Sequence, residues 1–98
     1  MDFNEHLAQD RRLVILRFLA KAAGYELNAS VLQSACDSVG HNASRAVILA
    51  DIEWLKEGGL VTTEDVHSIK VATATNRGLD VASGRATHPG VKRPAPKD

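Results

Sequence analysis

Four residues close together, His41, Asn42, Ser44 and Arg45, carry side chains suited to gripping a nucleic-acid backbone, and they stand where a helix is about to begin. An arginine at a helix N-terminus suits a phosphate or a guanine edge, and the other three can hydrogen-bond to the backbone. Lys70 adds a cation in a later run rich in β-branched residues, and Arg85, Lys92, Arg93 and Lys97 lie in a proline-containing C-terminus. These residues are the candidates for contact with nucleic acid, but for the C-terminal cations the plainer reading, a solvated terminus or a segment that docks on a partner, carries more weight. Covalent chemistry finds no support. There is no nucleophile elbow, and Gly58-Gly59 lacks the surrounding loop and lysine of a phosphate site. Cys36 is the single cysteine, and His6, His41, His67 and His88 are scattered without ligand spacing, so no metal, no other cofactor and no enzymatic activity is expected.

The element that must position Arg45 is the stretch Ser44 to Val61. Ser44 is a possible cap, Ile48, Ile52 and Leu55 recur by four and then three residues, and Gly58-Gly59 follows. That spacing puts the three apolar residues on one helix face, and glycine suits the left-handed conformation at a helix end. A second helix is expected over about 29–39, capped by Asn28, with Leu32, Ala35, Cys36 and Val39 on one face and Gly40 at its end. Two helices joined by a tight turn that begins with glycine match a helix-turn-helix. After Leu60, period-two patterning with β-branched residues predicts two strands and a turn near 66–68 of unspecified type. Thr75 then caps a short last helix that includes Gly78 and stops at Gly84.

Upstream, LVILRFLAKAA predicts a first helix with two apolar rows, capped by Asp10 and closed by Gly24. Residues 3–9 either extend it or form a separate turn. So broad an apolar surface implies cover on more than one side. Its charges, Arg11, Arg12, Arg17 and Lys21, read as a solvated face in preference to a DNA patch. Residues 1–84 thus form one domain, and 85–98 a basic tail with too little apolar surface to fold alone. The N-terminus has no secretion signal, and no apolar run is long enough for a bilayer, so a soluble cytoplasmic protein is expected.

DRRLVILRFLA, SRAVILADIEWLKEGGLV and TATNRGLDVASGR resemble, in that order, winged-helix regulators of the ArsR type. With the ending PGVKRPAP, the chain is similar to a family of small proteins of Mu-like transposable phages and prophages. The resemblance implies an α+β winged helix-turn-helix: three helices, a two-stranded wing and a short closing helix. It also implies a phage or prophage transcription regulator in a bacterial host, binding double-stranded DNA as a homodimer. The cysteine pairs and His/Asp/Glu clusters of the metal-sensing branch are missing here.

The third helix does not read as a strong DNA surface. Its outer face carries Ala43, Ala46, Val47, Ala50 and Glu53, and Asp51, Glu53 and Glu57 would repel phosphate. In the wing, Glu64 and Asp65 offset His67 and Lys70. The alternative is a protein-interaction module that uses this outer face against a second copy, a phage protein or a host protein. Lysine plus arginine equals aspartate plus glutamate at 12 each, so no overall positive charge decides between the two. Trp54 reads as packing and Cys36 as a small buried hydrophobe.

Overall fold

In the computed structural model, which describes residues 2–95, the first helix begins well before its apolar rows. α1 spans Phe3–Lys21, and its cap is Asp2, whose carboxylate accepts the Glu5 amide hydrogen at 2.8 Å. Asp10, the expected cap, lies in mid-helix instead. Residues 3–9 extend the helix because Asp2 satisfies a first-turn amide and Glu5 complements the positive helix end. α1 stops at Lys21, ahead of the expected Gly24, because Ala22 is already extended. Gly24, at φ 67°, belongs to a short 3-10 turn, Ala23–Tyr25.

Next comes a strand absent from the sequence reading, β1 (Glu26–Asn28). Then follow α2 (Ala29–Ser38), α3 (Arg45–Glu57), β2 (Val61–Val66), β3 (Ile69–Ala74) and α4 (Asn76–Ser83). Asn28, Ser44 and Thr75 cap the three later helices as expected, accepting from the amides of Val31, Val47 and Gly78. The sheet is antiparallel in the order β1-β3-β2. β1 owes its place to β3, where Leu27 sits opposite the buried Ala72. β2 and β3 join through His67 and Ser68, both at positive φ (50° and 66°). That is the geometry of a type I′ turn, built without the usual Asn-Gly signal.

The core is one cluster. α1 contributes Leu13, Ile15, Leu16 and Leu19, α2 Leu32 and Cys36, α3 Ile48, Ile52 and Leu55, the link after α3 Leu60, and the sheet Val61 and Ala72. α1 is therefore covered on more than one side, as its two rows required. Burial, and next the charge of Asp51, push the Cys36 thiol up to about 11, so it stays protonated at neutral pH. No helix among the described residues is long and apolar enough to cross a membrane.

Two expectations about charge and packing are corrected. Arg11 and Arg12 do not form a solvated face. Arg11 pairs through two nitrogens with the buried Asp51 of α3, the second bond being 3.2 Å from Nη2 to Oδ1. Arg12 lies over the Trp54 ring, its guanidinium carbon 4.1 Å from the ring centroid. The segment after Gly84 does not hang free either, as far as Ala95. Its backbone folds back over α1: Lys92 donates its amide hydrogen to the Gln9 carbonyl at 3.1 Å, and Arg12 Nη1 donates to the Gly90 carbonyl at 2.9 Å. Val91 enters the core cluster, and the His88 ring meets Trp54 edge-on at 5.5 Å. A glycine is required at 90, since a Cβ there would lie 2.5 Å from the Trp54 ring. The segment could not fold alone, but it docks as a strap. Lys97, the last cation expected in the tail, lies outside the described residues.

Candidate nucleic-acid interface

Capped by Ser44, α3 turns Ile48, Ile52 and Leu55 inward and leaves Arg45, Ala46, Ala50 and Glu53 exposed along the opposite side. The α2–α3 turn is braced by Gln33. Its Nε2 donates to the Ala43 carbonyl at 3.1 Å, and its Oε1 accepts from Arg45 Nε at 2.7 Å. One glutamine thus fixes the turn and aims the arginine. The brace engages Nε of an exposed side chain, and a guanidinium has two further nitrogens to offer an anion.

Arg45 and Lys70 flank one cleft. Between the start of α2, the side of α3 and the β2–β3 hairpin is a space of about 540 Å³, lined in part by Ser30, Arg45, Leu49, Asp65, Ile69 and Lys70. Its charge is mixed, because Lys70 Nζ lies 3.3 Å from Asp65. An incoming phosphate would compete with that carboxylate for the ammonium, and so exposed a pair is weak.

The other sequence-predicted residues divide. His41 is not free to meet a ligand: its ring is nearly buried, and Nε2 bonds to Asp10 Oδ2 at 2.6 Å. Lys92 reaches the second oxygen of the same carboxylate at 3.3 Å. Asp10 therefore joins the turn, α1 and the strap. Burial, the largest single influence, pushes the Asp10 carboxyl up, but the bonds from His41 and Lys92 together carry it below its ordinary value. A lowered carboxyl keeps its charge down through mild acid, so this link persists until the pH falls through that lowered value. Ser44 spends its oxygen on the Val47 amide at 3.2 Å. Asn42 and Arg93 are exposed, and Arg85 is exposed just past α4.

Asp51 changes the balance on α3. Counted from sequence as an acid that would repel phosphate, it is 4% exposed and faces α1. Only Glu53 and Glu57 of the three acids remain outside, both in the C-terminal half, away from Arg45. The residues that sequence reading missed are Gln33, Asp10 and the strap's contacts to Arg12 and Trp54. For Gln33 and Asp10 no periodic signal exists. For the strap, the pair Pro89-Gly90 followed by Val91 was the available hint of a turn bringing an apolar side chain home.

No protein-family model matches the chain. Two relatives cover it almost end to end. Protein gp26 of Escherichia phage Mu is 51% identical over 94 residues, spanning 96% of this chain and 97% of the phage protein. A protein of Haemophilus influenzae is 36% identical over 99 residues, spanning 100% of this chain and 96% of that protein. At such identity over such coverage, this chain belongs to the family of Mu-like phage proteins that contains gp26.

Proposed function

We propose that the chain is a winged-helix DNA-binding protein, a phage or prophage transcription regulator that acts as a homodimer in the cytoplasm of its bacterial host. The observation that carries this reading is the placement of α3. It stands exposed between a glutamine-braced turn and a two-stranded hairpin, with Arg45 at its leading end and Lys70 across the cleft. The element order α1-β1-α2-α3-β2-β3, with β1 on the far side of β3, supports the same architecture. On this reading the N-terminal half of α3 lies in the major groove. Arg45 takes a guanine or a phosphate, and Ala46 and Ala50 lie against thymine methyls. Lys70 and Arg93 hold phosphates, and Asn42 adds a hydrogen bond. His41 serves by fixing the turn, not by touching DNA.

Arg45→Ala is the direct test. The substitution removes an exposed side chain and leaves the Ser44 cap in place, so circular dichroism should not change. Loss of a contact of this kind costs about 1–3 kcal/mol, a fall in duplex affinity of roughly 5- to 150-fold. An affinity equal to wild type on the same duplex pool contradicts the assignment.

A second reading has its own observation. Leu49 and Ile69 are exposed in the same cleft, and a paired Asp65 stands beside them. A protein partner would cover such a surface with the same fold. On that reading no duplex binds at any salt concentration, and Arg45→Ala is silent.

A further inference from the structure

α1 carries a second apolar stripe that its own fold does not use. Phe3, Leu7, Val14 and Phe18 follow one another by four, seven and four residues, which places them on one face of the helix. The face lies opposite Leu16 and Leu19, two of the four residues that α1 buries, and is flanked by the other two, Leu13 and Ile15. Phe3 is 72% exposed, the most exposed large apolar side chain described, and Leu7 is exposed beside it. Val14 and Phe18 touch the core with one side only. Together with Arg17, Lys21 and the exposed Val39, they line a cleft of about 310 Å³. One end of the helix thus offers an apolar knob, and the other an apolar hole.

We infer that two copies of this chain pair through antiparallel α1 helices, with Phe3 of each seated in the Val14–Phe18–Val39 cleft of the other. Antiparallel pairing about a twofold axis brings Phe3 opposite the partner's Phe18 and Leu7 opposite the partner's Val14, each contact occurring twice. Charge supports the direction. The N-terminal end carries Asp2, while Glu5 turns away to Gln9 and Arg12, and the C-terminal end carries the exposed Arg17 and Lys21. Antiparallel helices place acids near bases at both ends, and parallel helices would place like beside like. Asp10, midway along the stripe, already has its own His41 and Lys92 as partners, so two such carboxylates can approach the axis without bare repulsion.

The helix itself adds a reason. Its first buried residue is Leu13, so more than two turns precede any core contact. Helical segments in water derive most of their stability from packing, and what ties these turns to the rest of the chain lies at their end, in Gln9, Asp10, Arg11 and Arg12, through the strap, His41, Asp51 and Trp54. The partner supplies the missing packing on the other side.

This pairing gives the surface for the dimer of the proposed function, but its test uses no DNA. Wild type at high concentration should sediment at twice the chain mass of 10.5 kDa. Leu7→Arg, at an exposed position, should sediment at 10.5 kDa with unchanged circular dichroism. A cross-link keeps the register testable apart from any effect on folding. On oxidation, Leu7→Cys mixed with Val14→Cys should give a disulfide-linked mixed dimer, and Leu7→Cys alone should give none. A monomeric wild type overturns the inference, as does a dimer that survives Leu7→Arg or a Leu7→Cys chain that links to itself. A monomer that still binds duplex removes this interface and leaves the DNA reading standing.

Discussion

Gly78→Ala is expected to destabilise the protein by about 3 kcal/mol or more, even though alanine is the better helix former by about 1 kcal/mol. The reason is a close approach between α4 and the chain leaving α3. A Cβ on Gly78 would lie 2.0 Å from the carbonyl oxygen of Leu60 and 3.4 Å from Leu16 Cδ2. Neither neighbour can yield cheaply. Leu60 is fully buried, and its carbonyl accepts the Thr75 amide hydrogen at 3.0 Å. Thr75 in turn donates its hydroxyl to the Gly59 carbonyl at 2.8 Å and caps α4 at Gly78. Moving α4 outward would break both ties and uncover Val81 and Ala82. Urea unfolding measures the effect as a lower midpoint at unchanged slope. A midpoint at or above wild type would mean that α4 does not sit where it is described.

Asp51→Ala is the second large effect, expected at about 3 kcal/mol. The carboxylate takes two bonds from Arg11 and lies 3.9 Å from Arg12 Nε, which has no hydrogen-bond partner of its own. Removing it leaves the largely buried Arg11 guanidinium without a counter-charge, whereas Arg12 keeps Glu5 at 3.5 Å. The desolvation of Arg11 is then uncompensated, and the loss exceeds the net worth of the pair. The Asp51 bonds raise Arg11 above its ordinary pKa in the wild type, and even without them a guanidinium keeps its proton, so Arg11 cannot escape by becoming neutral. Arg11→Met with Asp51→Leu should recover most of the loss, because apolar residues can fill the place of a whole buried pair. A double-mutant cycle on thermal or urea unfolding reads the coupling directly, and additive effects would place the two side chains apart.

Much of the helical framework could be read from the sequence because local rules govern it. Asn28, Ser44 and Thr75 are cap residues followed by rows of helical period, and each caps the helix expected of it. The parts that escaped depend on contacts distant in the chain. β1 is three residues with no strand propensity of their own, and it exists because β3 offers an edge at Ala72. Asp10 satisfied the local rule for a cap, but Asp2 satisfied it earlier, which freed Asp10 to meet His41 and Lys92. Asp51 and Arg11 are forty positions apart, and nothing in either neighbourhood marks them as partners. The same holds for the candidate interface. Arg45 was readable as a helix-end cation, but its brace from Gln33 was not. The strap was read as a tail because its composition excludes independent folding, which says nothing about docking on a finished body.

DNA contact is the central claim, and selection from a random duplex pool at two salt concentrations tests it most directly. With about three phosphate contacts per protomer of a dimer, the logarithm of affinity should fall against the logarithm of salt with a slope of about −5. Low salt should then retain duplexes broadly, and higher salt should enrich a twofold-symmetric sequence whose half-sites lie one or two helical turns apart. A chain that retains no duplex at low salt, from a pool containing every short sequence, would contradict the claim and leave the cleft between α3 and the hairpin to a protein partner.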